Sequence, residues 1–390
     1  MSIDAGQTFN FLPIPTDVHF GFGVARSLPE RVKSFGRRKV FLVTDPGVRG
    51  AGLIDGVAEA LEQASVCFTV YDRVTADSGS ELIQEAVDEL KRNEADIVVG
   101  IGGGSSLDTA KAVAAMATNP GSLLDYLGLH KVRERPLPVI AVPTTAGTGS
   151  EVSLWSVFTD DARQLKVAIG GVLMYPAMAL CDPELTMNLP PSLTAATGMD
   201  ALAHAIECYT NNACQPISAA LALQAIELIG AHLRGAALNG RDRQARYAMM
   251  LASTMAGMAM NPTRLGLAHA LAMPLGSWDL KIPHSVAIAV TLPVVMQFNY
   301  PAAPERYANV ARALGQRVEG LSSLDAAGRA AAAVGCLARE VGIPEKLSEF
   351  GLCEQRIPEV VDEAMKSGNV AVNPRRTSGE ELAEILRRVA

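Results

Sequence analysis

At 390 residues the chain is too long for one ordinary core, which points to two domains. Its composition is globular, 49% hydrophobic and 19% charged, and a net charge of −7 argues against a nucleic-acid or anionic-membrane partner. No apolar stretch reads as long and unbroken enough to span a bilayer, and the first residues lack the basic-then-apolar layout of a signal peptide. Cys67, Cys181, Cys208, Cys214, Cys336 and Cys353 are scattered without a CxxC pair, as expected for reduced, mostly structural thiols.

In chain order, Lys39-Val40-Phe41-Leu42-Val43-Thr44-Asp45 reads as a buried strand and Pro46-Gly47 as a turn. A helix is predicted over 50–64, a strand over 67–71 and a helix over 80–94. Asp96-Ile97-Val98-Val99-Gly100-Ile101 is an apolar run without alternation, as in a parallel strand buried on both faces. A Gly-rich turn, a helix over 106–116 and a strand over 138–142 follow. This βαβα order predicts an α/β domain with a doubly wound, mainly parallel, Rossmann-like sheet.

Two loops leave strands of that sheet. Gly100-Ile101-Gly102-Gly103-Gly104-Ser105-Ser106-Leu107-Asp108 opens a helix. Its glycines let the backbone approach a ligand, and a helix N-terminus adds partial positive charge, which suits a pyrophosphate. Ser105 stands where G-x-G-x-x-G would have its third glycine, and a plain strand–helix turn is the alternative. The second loop is Pro143-Thr144-Thr145-Ala146-Gly147-Thr148-Gly149-Ser150-Glu151. Both sit where open α/β sheets bind ligands. Asp45, at the end of an earlier strand, can accept hydrogen bonds from ribose hydroxyls and would repel a 2′-phosphate, favouring NAD over NADP. An ordinary turn-forming Asp before Pro-Gly is the other reading.

The character changes over 183–191. Strand signals nearly vanish, and long Ala-, Leu- and Met-rich segments such as 218–238 and 242–260 predict an all-α second domain. The expected division is 1–187 and 188–390. Asp200 and His204 are four apart in Gly198-Met199-Asp200-Ala201-Leu202-Ala203-His204-Ala205-Ile206-Glu207, a spacing that puts both on one helix face. His269 and His284 lie in similarly apolar, small-residue settings. Three of the six histidines thus join one carboxylate, which points to a divalent metal site. Three nitrogens and an oxygen suit Fe²⁺ or Zn²⁺ rather than Mg²⁺ or Ca²⁺. Cys208 follows His204 by four and reads as a buried small hydrophobe or a neighbour of the metal. Thr377-Ser378-Gly379-Glu380 reads as a capping box that starts the last helix.

Taken together, Gly102-Gly103-Gly104-Ser105 with Asp108 and Lys111, the Pro143–Thr148 loop, Gly198 through His204 and the two later histidine segments resemble the iron-containing (group III) alcohol dehydrogenases over nearly the whole chain. The resemblance implies the architecture shared with dehydroquinate synthase: an N-terminal NAD(P)-binding α/β domain, an all-α C-terminal domain, and catalysis in the cleft between them. It implies metal ligation by Asp200, His204, His269 and His284. It also implies cofactor contacts at Asp45, Gly102, Gly103, Gly104, Ser105, Asp108, Thr144, Thr145, Thr148, Lys166 and Leu185. The implied activity is reversible hydride transfer between a small alcohol or hydroxy acid and NAD, with Fe²⁺ (or Zn²⁺) as Lewis acid. A cytosolic homodimer or larger homo-oligomer acting on a small-molecule alcohol or aldehyde, with no nucleic-acid or membrane partner, completes the expectation.

The chain departs from that family's pattern in places. Met273 stands four residues after His269, where relatives carry a histidine near the nicotinamide, so the proton is expected to leave through water and the ribose hydroxyls. Methionine as a simple gap filler is the alternative. Ser285 replaces a glycine. Trp155 falls at the expected mouth of the substrate pocket, with a core role equally open. Arg264, where relatives have a small residue, could anchor an anionic substrate or be an exposed structural arginine. The rival activities are a transhydrogenase that retains its cofactor and a non-redox, NAD-using lyase of the dehydroquinate synthase type.

Overall fold

The computed structural model describes residues 8–9 and 14–390. The chain folds as two compact units, residues 14–188 and residues 189–390, with residues 8–9 grouped with the latter.

The first unit holds strands β1 (Asp17–Phe20), β2 (Lys39–Val43), β3 (Cys67–Tyr71), β4 (Ile97–Gly102), β5 (Gly128–Leu129), β6 (Val139–Pro143), β7 (Trp155–Asp160), β8 (Leu165–Gly170) and β9 (Met178–Cys181). Its helices are α1 (Leu28–Ser34), α2 (Pro46–Gly50), α3 (Asp55–Gln63), α4 (Ser80–Arg92) and α5 (Gly104–Thr118). Six strands form one parallel sheet in the order β1-β9-β6-β4-β2-β3. Successive strand residues point to opposite faces, and the apolar runs divide accordingly. Val40, Leu42, Ile97, Val99 and Ile101 join Leu28, Val32, Val57 and Leu61 of α1 and α3 in one core. Phe41, Val43 and Val98 join Ile83, Val87, Ala110 and Val113 of α4 and α5 in the other. Helices cover both faces, so every residue of β4 and β6 is buried. The sequence therefore shows unbroken apolar runs, not alternation.

Some expectations shift. Pro46 does not turn the chain. It is the first residue of α2, with Asp45 as N-cap accepting from Val48 N at 2.9 Å. Gly52, at φ +70°, separates α2 from α3, so the single helix expected over 50–64 is two. The strands β1, β5, β7, β8 and β9 carry too few residues or too mixed a pattern to stand out in the sequence. The last three-stranded sheet, β5-β8-β7, includes the antiparallel β7–β8 pair.

The second unit is helical: α6 (Pro191–Thr210), α7 (Pro216–Leu238), α8 (Arg243–Thr263), α9 (Leu267–Leu275), α10 (His284–Asn299), α11 (Pro304–Ala313), α12 (Ser323–Glu340), α13 (Ile357–Ala364), α14 (Gly368–Val372) and α15 (Gly379–Arg387). Helix α6 is buried on all sides from Thr194 to Thr210, with α7, α8 and α10 packed around it. A helix apolar all round belongs in a core. The final capping box lies one residue later than expected: Ser378 caps α15 and Glu381 closes the box. Helix α7 and the segment His284–Ala302 are, by length and composition alone, long and apolar enough to cross a membrane, contrary to the sequence reading. Part of each is spent on core packing within this unit.

In the first unit, Lys111 is 2% exposed, and its ammonium meets the Asp108 carboxylate at 3.0 Å and the carbonyls of Ser150 (3.1 Å), Ser153 (3.4 Å) and Trp155. This ties α5 to the segment after β6. Lys111→Met leaves Asp108 without its cation and should destabilise this unit by about 3 kcal/mol. The expected readout is an earlier transition in denaturant unfolding; an unchanged transition would show that the ammonium braces nothing.

Candidate functional site

Helix α6 offers three acidic or imidazole side chains on one face: Asp200, His204 and Glu207, at spacings of four and three. His269 is the third residue of α9, and His284 is the first residue of α10. Helix α10 packs on both α6 and α9, which carries the four expected ligands to one place. His204 stacks on His269 with ring centroids 4.5 Å apart, and His284 lies edge-on to His269 at 5.7 Å. Asp200 Oδ1 lies 3.4 Å from His269 Nε2 and 3.8 Å from His204 Nε2. One donor atom each from Asp200, His269 and His284 falls within a 4.8 Å span, with His284 the most open of the three. Tetrahedral donors on arms of about 2.1 Å lie about 3.4 Å apart.

Asp200 Oδ1 and His269 Nε2 are both buried and have no hydrogen-bond partner. A buried polar atom without a partner costs about 1–3 kcal/mol. Two such atoms facing each other, one anionic and one an imidazole nitrogen, fit a shared cation. Burial pushes the Asp200 carboxyl up, but the three imidazoles, His204 first, outweigh it and hold the group at about 2. Burial pulls His269 down, and the carboxylates of Glu207 and Asp200 outweigh that and raise it to about 9.

Glu207 lies in the same apolar stretch as Asp200 and His204, three residues beyond the latter. It is 4% exposed, and its Oε2 accepts from His269 Nδ1 at 2.6 Å and from Gly266 N at 2.8 Å, while Oε1 accepts from Ala268 N at 2.7 Å. The available signal was an acid in an otherwise apolar stretch, in phase with Asp200 and His204. Cys208 follows the blander reading: it is buried, and its Sγ donates to the Arg264 carbonyl at 3.6 Å. Burial raises its thiol pKa.

In the other unit, the expected cofactor residues mostly share one edge of the sheet. Asp45 follows β2, Gly102–Ser105 close β4 and start α5, Thr144–Thr148 follow β6, and Leu185 lies in the turn Pro183–Thr186 after β9. These are four adjacent strands, and all the residues lie at their C-terminal ends. Ser106 Oγ donates to Asp45 Oδ2 at 3.0 Å, which binds the first two segments together. A Cβ on Gly104 would stand 2.7 Å from Thr148 Cγ2, so only glycine lets the two loops approach this closely. The N-cap of α5 is Gly103, which has no side chain to occupy the first-turn amides.

Other expected residues are engaged elsewhere. Both oxygens of Asp108 are held by the protein, Oδ1 by Ser150 Oγ at 2.5 Å and by Lys111, Oδ2 by Val157 N at 3.0 Å. Ser105 Oγ donates to Ala76 O at 2.9 Å. Lys166, on β8, is ion-paired with Asp77. Trp155 begins β7, half-buried, with its ring against Gly170. Met273 is half-buried on α9, and Ser285 is half-buried on α10. Arg264 is exposed, with its guanidinium against Gly368.

A family model described as "Iron-containing alcohol dehydrogenase" matches residues 15–183, and one described as "Fe-containing alcohol dehydrogenase family, C-terminal" matches 194–390. The chain belongs to the iron-containing alcohol dehydrogenase family. An NAD-dependent methanol dehydrogenase of Bacillus methanolicus is 38% identical over 97% of this chain and 99% of its own length. Among solved structures, a 1,3-propanediol oxidoreductase matches with a TM-score of 0.95 at 38% identity, covering 98% of this chain and 100% of its own. A sulfoacetaldehyde reductase from Bifidobacterium kashiwanohense, in complex with NAD+, matches at 0.87 and 30% identity, covering 99% of both. This family membership makes the chain an oxidoreductase of the alcohol dehydrogenase type.

The pKa directions fix how the metal-free protein responds to pH. His269 is raised from 6.5 to about 9, so its contribution to stability is present below pH 6.5 and is lost as pH rises through 9. Asp200 is lowered from 3.8 to about 2, so its contribution is present above pH 3.8 and is lost as pH falls through 2. Metal-free protein should therefore melt at falling temperature between pH 6.5 and 9. A melting temperature flat across that window would contradict the pairing of His269 with the two carboxylates.

Proposed function

We propose that this chain is a metal-dependent dehydrogenase that exchanges a hydride reversibly between a small alcohol and NAD. The observation that carries the reading is the pair of buried, unpartnered atoms Asp200 Oδ1 and His269 Nε2, flanked by His204 and His284, in a chain of this family. Residues 189–390 would hold the ion and residues 14–188 the dinucleotide. Fe²⁺ accords with the family, and the same donor set also suits Zn²⁺.

When bound, the ion acts as a Lewis acid on the substrate oxygen while the nicotinamide exchanges the hydride. The protein's own groups prepare those events. Asp200 supplies one negative charge to the donor set, and three imidazoles supply neutral nitrogens. Burial of Asp200, His204 and His269 keeps water from competing for the donors and strengthens their field. The first-turn amides of α5, left open by Gly103, suit the pyrophosphate. Asp45 places a carboxylate at the end of β2, which favours ribose hydroxyls over a 2′-phosphate and hence NAD over NADP. Met273 has no proton to give or take, so it is no route for the alcohol proton, which water and the ribose hydroxyls of a bound cofactor would carry instead. A homodimer or larger homo-oligomer working in the cytoplasm accords with the resemblance.

The test is a panel of small alcohols, diols and hydroxy acids with NAD or NADP, on Fe²⁺- and Zn²⁺-loaded protein. We expect NADH to accumulate with at least one alcohol, to depend on added NAD, and to cease on chelation. Turnover that neither requires added NAD nor accumulates NADH would replace this reading with the transhydrogenase or the lyase.

A further inference from the structure

The ligand His269 is oriented by a residue on another helix. Glu207 closes the carboxylate end of a carboxylate–imidazole pair, 2.6 Å from His269 Nδ1. Its remaining hydrogen bonds are to the backbone amides of Gly266 and Ala268, at the N-terminus of α9. Three N–H donors thus converge on one carboxylate. Glycine at 266 is required for this approach, because a Cβ there would lie 2.8 Å from Glu207 Oε1. The segment just before it is also fixed. Arg264 holds φ 60° and ψ −167°, a conformation nearly reserved for glycine. Its carbonyl accepts from Asn211 Nδ2 at 3.2 Å and from Cys208 Sγ.

We propose that Glu207 is the positioning residue of the metal site. An ionised carboxylate only accepts hydrogen bonds. It therefore keeps one His269 proton on Nδ1, so that once an ion displaces the other proton the Nε2 lone pair faces Asp200 Oδ1, where the ion is to be held. One helix, α6, then supplies two ligands and sets the ring of a third. A neutral amide cannot do the same. Glutamine offers one accepting oxygen to three converging donors, and its own NH₂ must face at least one of them. The inference rests on the reading that Asp200, His204, His269 and His284 hold a divalent ion.

Co²⁺ titration of metal-free parent and of Glu207→Gln separates the two levels of this account. The parent should bind one Co²⁺ with visible d–d bands, and Glu207→Gln should bind 10–100-fold more weakly, about the loss typical of a removed outer partner, with altered bands. Absence of Co²⁺ binding by the parent would sink the metal site itself. Equal affinity and identical bands in the two proteins would overturn the role of Glu207 alone. A purely structural Glu207 would lower the melting temperature of the metal-free variant and leave its bands unchanged. Should Glu207→Gln not fold, ¹⁵N-histidine spectra of the Zn²⁺-loaded parent decide, with His269 assigned through His269→Gln. A strongly deshielded, slowly exchanging proton on Nδ1 is expected, and a His269 Nδ1 without a proton overturns the proposal.

Discussion

Across 3.4 Å, a carboxylate oxygen of Asp200 and an imidazole nitrogen of His269 face each other, both buried and neither hydrogen-bonded. Left so, each would cost about 1–3 kcal/mol, and both atoms sit deep in the helical unit. The surroundings are built to keep them there. Helix α6 is buried for seventeen consecutive residues, from Thr194 to Thr210, which fixes Asp200 and His204 against rotation. The chain then brings the first turns of α9 and α10 to the same place, where His269 and His284 start their helices. A site on helix ends and a fully packed helix has little freedom to spread its donors when an ion leaves. The buried carboxylate then relies on the imidazoles alone for compensation.

The α/β unit meets a different demand with backbone. Its sheet is parallel and covered on both faces, so the apolar strands fill the interior and only their C-terminal ends open into loops. Three of those loops are stitched together by short contacts: Ser106 to Asp45, and Gly104 against Thr148. Lys111 and Asp108 add a buried brace behind them. The charged groups of this region hold the loops, and the first-turn amides of α5 have no side-chain cap. That division explains why Asp108 and Ser105, both carried in the Gly-rich motif, are engaged with protein atoms, whereas Gly103 exposes the helix end.

Much of this was legible in the residues. Unbroken apolar runs at Val40–Val43 and Ile97–Ile101 announced strands buried on both faces, because helices lie on each side of the sheet. The Asp200–His204 spacing announced a shared helix face. Strands β1, β5 and β9 are two to four residues long, too short to carry a period. Pro46 was misread as a turn because a proline at the first helical position and a turn proline look alike until the N-cap is seen. Glu207 is not legible because its partners are fifty-nine to sixty-two positions away, and only the fold brings the start of α9 to its carboxylate.

X-ray absorption on Fe²⁺-loaded protein reports the metal's own neighbours. This account predicts one ion per chain, a first shell of nitrogen and oxygen near the ~2.1 Å typical of such donors, and the multiple scattering of three imidazoles. A sulfur shell, fewer than three imidazoles, or less than one ion per chain after saturation would contradict it.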